Sequence, residues 1–117
     1  MKLHAPFAGG ACLDCHNPHA GAGQGLLRTA REDETCAACH ALPDLYPDAA
    51  LAHTPVREGR CGDCHDPHGS LNPRLLSAPG GERCFSCHAG LRQKRSAAHQ
   101  HAPFAQGRCR DCHDAEQ

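Results

Sequence analysis

The stretch CGDCHDPHG, residues 61–69, sets two cysteines and two histidines within eight positions. Thiol and imidazole are the side chains that borderline and soft metals select, so their crowding asks what they hold. All ten cysteines of the chain fall into five copies of the same pattern: Cys12-Leu-Asp-Cys15-His16, Cys36-Ala-Ala-Cys39-His40, Cys61-Gly-Asp-Cys64-His65, Cys84-Phe-Ser-Cys87-His88 and Cys109-Arg-Asp-Cys112-His113. A disulfide framework gives no reason for a histidine to follow the second cysteine every time. Paired CxxC units do make closed zinc sites, but five units are an odd number, and eleven histidines would be oversupplied. The pattern reads instead as c-type haem attachment, in which both thiols form thioethers to the porphyrin vinyl groups and the adjacent imidazole is presented to the iron. Five haem c groups are therefore expected, with His16, His40, His65, His88 and His113 as the proximal iron ligands.

The rest of the composition agrees with a prosthetic group in the interior. In 117 residues there are 3 Phe, 1 Tyr and no Trp against 10 Cys and 11 His, too little aromatic and aliphatic surface for an ordinary core. Divided among five haems, the chain has about 23 residues to wrap each one, so the macrocycles must touch. The leucine pairs, Phe7, Phe85 and Phe104 are expected to pack on haem, and loss of haem should unfold the chain as metal loss unfolds small metallo-domains.

Internal similarity organises the chain. Cys12, Cys61 and Cys109 are spaced by 49 and 48 residues, and Cys36 and Cys84 by 48. Each odd-numbered site follows a matching leader, HAPFAGGAC from His4, HTPVREGRC from His53 and HAPFAQGRC from His101, with the histidine eight positions before the cysteine. Sites one and three share a tail, CHNPH and CHDPH, followed by Leu26-Leu27 and Leu75-Leu76 at the same offset. The chain is a single pentahaem domain of two and a half two-haem modules, 1–49, 50–98 and 99–117.

Six histidines lie outside the motifs, and five of them occupy repeat-equivalent places: His4, His53 and His101 in the leaders, His19 and His68 in the tails. Five haems thus meet five spare imidazoles, expected as the distal ligands. Met1 is the only methionine, so the ligand that raises haem potentials is missing and low potentials follow. His16 and His19, like His65 and His68, are too close in sequence to clasp one haem, and the proline between them turns the second ring away. The arrangement favoured by sequence sends His4 to haem one, His19 to two, His53 to three, His68 to four and His101 to five. The rival sends His53 to haem two and His101 to haem four, leaving His19 and His68 for three and five. His99 has no counterpart; it is either a surface residue or a substitute for His101 or a ligand to a haem elsewhere.

Few short helices are predicted, over 29–41, 48–52 and 82–98, with Pro- and Gly-punctuated loops between and no significant sheet. The polypeptide is formally −1; ten propionates and five ferric irons would take it to roughly −6, which steers it toward basic partner patches and not toward nucleic acid. Arg92, Lys94 and Arg95 read as a solvated helix face. The N-terminal MKLHAPFAGG has no apolar run, and no membrane span is present. Thioether attachment takes place outside the cytoplasmic membrane, so a periplasmic or extracellular location is expected, reached by a signal this sequence does not contain.

With the pattern HxP…GxCxxCHxPH…CxxCH along nearly its whole length, the chain resembles the multihaem c-type cytochromes with doubled CxxCH motifs. It is similar in this to the pentahaem donor of periplasmic nitrite reductase and to the decahaem cytochromes that cross outer-membrane porins, and departs from the former in its truncated last module and in His99. The resemblance implies a fold of short helices and loops wrapped round stacked haems, and an electron carrier or conduit module acting between redox partner proteins. A subunit of an extracellular cytochrome filament is the alternative of the same class. A multihaem reductase of a small oxyanion is the rival from another class, and would need one open iron. The expected reading is electron transfer without catalysis.

Overall fold

The computed structural model describes residues 1–41, 51–79 and 81–113. The leaders, read as loops, form single helical turns: α1 Ala5–Ala8, α3 Thr54–Arg57 and α6 Ala102–Ala105. Proline in the first helical positions fixes where each begins. The leader histidine stands at the N-cap in extended backbone without its side chain capping the helix, which leaves the imidazole free for another partner. Gly10, Gly59 and Gly107, two residues before the cysteine, end the unit at φ of +72°, +71° and +68°, a left-handed turn that glycine makes at no steric cost.

Gly59 also lies under a neighbour. A Cβ there would fall on the carboxylate of Asp33, which is 8% exposed and receives Arg31 Nε at 3.0 Å and Nη2 at 2.8 Å. Those guanidinium bonds hold the Asp33 carboxyl below its usual range. At Gly10 nothing lies within 4 Å of a Cβ. Gly10→Ala is therefore expected to lose only the cost of left-handed backbone, about 1–2 kcal/mol, and Gly59→Ala distinctly more; denaturant midpoints of the two variants check this, and equal losses would show that Asp33 yields freely.

Between leaders, α2 spans Glu32–Ala37, α4 Glu82–Phe85 and α5 Ala89–Lys94. The predicted helix 29–41 is shorter at both ends, because Arg31 is extended and the Thr29 hydroxyl turns to the Arg31 carbonyl and the Thr35 hydroxyl. The predicted 82–98 helix is two, broken where His88 leaves helical backbone at φ −100°, ψ 55°. Of the predicted 48–52 helix, residues 48–50 lie outside the described residues; Leu51 and Ala52 are not helical.

The sheet is as slight as expected: β1 Lys2–Leu3 pairs antiparallel with β2 Gly69–Ser70, Lys2 opposite Ser70 and Leu3 opposite Gly69. The His4 N–H continues it to the His68 carbonyl at 3.2 Å. This ties the first leader to the second module's tail. Within each module the tail folds back on its own motif through the bridges His16–Leu27 and His65–Leu76.

Little polypeptide is buried. Among the described residues the only buried apolar side chains are Ala52 and Phe85, while Leu13, Leu51 and Leu71 are 61%, 67% and 82% exposed. A compact domain of this length has a radius of gyration of about 13 Å; here it is 16.2 Å, with extents of 54 × 33 × 22 Å. Phe85 packs in a way the sequence did not predict: its ring is covered by the guanidinium groups of Arg92 at 5.2 Å and Arg95 at 5.4 Å. Both arginines also pair with Glu82, at 2.8 and 3.2 Å, and Arg95 donates to the Ala105 carbonyl. Arg92 and Lys94 are exposed, as the solvated face predicted for them requires, while Arg95 is half-buried against Glu82 and Phe85.

Candidate cofactor sites

All five CxxCH motifs have one backbone design. The histidine N–H donates to the carbonyl of the first cysteine, at 3.0 Å for His16, His65 and His113 and 2.9 Å for His40 and His88. This closes a single turn that sets the two thiols, three residues apart, on one side. The ten thiols are free, none more buried than intermediate, and so are open to a large flat group.

Thiols of successive motifs lie together. Cys36 and Cys61 are hydrogen-bonded, with Cys61 donating; this brings the Cys36 thiol down to about 7 and raises Cys61. Cys84 is raised by burial first and then by Cys109, with which it also shares a hydrogen bond. Cys15 is raised by burial, by Asp14, and by the nearby Cys36 and Cys39. The thiols of motifs two and three, and of four and five, are thus neighbours.

The imidazoles of the first and third motifs are oriented by the tails. His16 Nδ1 lies 2.7 Å from the Gly25 carbonyl and His65 Nδ1 2.8 Å from the Arg74 carbonyl. A ring nitrogen facing a carbonyl carries the hydrogen and donates it, so Nε2 is left as the lone-pair nitrogen for a metal. The carbonyl is turned inward by left-handed backbone at Gly25 and Leu26, φ +63° and +60°, and at Arg74 and Leu75, φ +56° and +59°. Sequence reading missed this role. The only available signal was the residue before each leucine pair, glycine in one module and arginine in the other.

Three pairs of imidazoles face one another. His4 and His40 have ring centroids 6.0 Å apart with planes at 17°, His53 and His88 6.1 Å at 24°, and His16 and His68 6.1 Å at 33°. Every pair joins a motif histidine to a leader or tail histidine. An imidazole nitrogen sits about 2.0–2.1 Å from a borderline metal ion and the ring centre roughly 1.1 Å further out, so imidazoles on opposite sides of one ion have centroids about 6.3 Å apart. The three gaps fit a single iron. Among the described residues no group of three or more His, Cys, Asp or Glu surrounds a common point, so the remaining coordination would come from the porphyrin.

Neither pairing drawn from the sequence is what the structure brings together. His4 faces His40 and not His16; His53 faces His88 and not His65 or His40; His68 faces His16 and not His88. For His68 the cause is the β1–β2 pair, which carries it back to the first motif, 4.9 Å from Phe7. His19, held by its backbone N–H to Asn17 Oδ1, His99 and His101 are exposed and meet no ring. His65 and His113 likewise have no ring contact among the described residues.

A family model described as the doubled CXXCH motif matches residues 4–43 and 53–93, one leader and two motifs in each segment. No curated protein matches the chain.

Proposed function

The chain belongs to the doubled CXXCH motif family, whose motifs bind haem c covalently and serve electron transfer, and from that premise we propose a five-haem electron carrier or conduit module. The observation that carries the reading is the repetition of one thiol-presenting turn at all five motifs, the fifth of which lies outside the segments matched to the family but has the same backbone. Each bound haem would supply a one-electron iron couple. Cys12 with Cys15, Cys36 with Cys39, Cys61 with Cys64, Cys84 with Cys87 and Cys109 with Cys112 fix the porphyrins, and the motif histidines hold the irons. The Gly25 and Arg74 carbonyls set the tautomer of His16 and His65 and make the ligating nitrogens more basic.

Contact between thiols of motifs two and three, and of four and five, supports macrocycles close enough for an electron to pass from one to the next. Imidazole opposite imidazole at three sites supports low potentials, since no thioether ligand competes. The holoprotein would be acidic and meet basic redox partners, outside the cytoplasmic membrane where such attachment occurs. Intact mass of the purified protein is expected to show five haems, falling by one in the Cys109→Ala, Cys112→Ala double variant. A mass of four in the unaltered chain, unchanged by that variant, would reject the fifth site.

A further inference from the structure

Resting on the haem reading above, we infer that the second axial ligands are crossed between modules and leave two irons open. A leader histidine serves the second motif of its own module, His4 with His40 and His53 with His88; a tail histidine serves the first motif of the preceding module, His68 with His16. The irons on His65 and His113 receive no second imidazole from this chain and keep an exchangeable sixth position for a small nitrogen donor such as free imidazole.

The register makes this more than a set of three contacts. The leader rule is obeyed twice, at pairs 48 or 49 residues apart whose centroid gaps differ by 0.1 Å. The tail rule asks for a third-module tail histidine to close His65, and the equivalent position, three residues after His113, is Glu116. His65 is nonetheless fully prepared as a ligand, with its Nδ1 held by Arg74. His19 is held in the turn at Asn17, whose Oδ1 accepts from both the His19 and Ala20 N–H groups.

The test uses the haem-loaded, full-length chain, taken as the monomeric fraction from gel filtration so that no second copy supplies a histidine. Electron paramagnetic resonance of the oxidised protein is expected to show two of five irons high-spin, converting to low-spin when imidazole is added. His68→Ala, His4→Ala and His53→Ala should each raise the high-spin share from two to three of five, and His19→Ala and His101→Ala should leave it at two. Five low-spin irons in the unaltered chain, or a rise on replacing His19 or His101, would overturn the crossing. Haem counted by mass on the same samples separates this from the functional reading: too few covalent haems would defeat that reading instead.

Discussion

A chain with all ten cysteines replaced by alanine is expected to show no cooperative thermal transition and the far-ultraviolet circular dichroism of a largely disordered polypeptide. Ordering a residue costs about 1–2 kcal/mol of backbone entropy, and burying one large apolar side chain returns only about 1.5–3 kcal/mol. Among the described residues Ala52 and Phe85 are the buried apolar side chains, the helices have four to six residues, and the sheet has two-residue strands. Isolated helices of that length do not persist in water. Leu13, Leu26 and Phe7, at 61%, 47% and 45% exposure, are the apolar surface on which attached porphyrins would complete the interior. The holoprotein should melt cooperatively under the same conditions. A sigmoidal melt of the alanine chain would mean the polypeptide folds on its own and that the haems are passengers.

Phe85→Ala in the haem-loaded protein is expected to cost about 3–5 kcal/mol, the largest loss from any single side chain outside the attachment and ligand residues. The ring is 3% exposed, and it supports two guanidinium groups. Removing it empties a cavity and deprives Arg92 and Arg95 of the surface that steers them to Glu82. Leu91→Ala on the same face of the sequence, at 41% exposure, should cost under about 1.5 kcal/mol, since little of it leaves water. Chemical denaturation with the slope unchanged between variants isolates the stability term. Equal losses at the two positions would show that burial of Phe85 contributes nothing particular.

The CxxCH turns and the repeat of the leaders were legible because their signals are local, although the leaders were read as loops and not as one-turn helices. A CxxCH run specifies its own turn, and His-x-Pro followed by glycine specifies where a one-turn helix starts and stops. The partnership of the imidazoles was not legible, because it depends on contacts far apart in sequence. The segment that returns His68 to the first motif is Gly69-Ser70, two residues of low strand preference with no alternation to reveal them. Nor do backbone acceptors carry a sequence label: Gly25 hints at left-handed backbone, whereas Arg74 adopts the same conformation with no such hint. Arg92 and Lys94 are exposed as their charge suggests; what carries no sequence label is that Glu82 and Phe85 lie within reach of Arg92 and Arg95.

The pairing of Lys2–Leu3 with Gly69–Ser70 imposes an order in time. Synthesis proceeds from the N-terminal side, and Lys2 and its partner Ser70 are 68 positions apart. Through that interval the first motif is available to be loaded while its opposite imidazole, His68, has yet to emerge, and the first strand has an unpaired edge. Assembly of this molecule is therefore a matter of waiting: its earliest-made site is among the last to be closed.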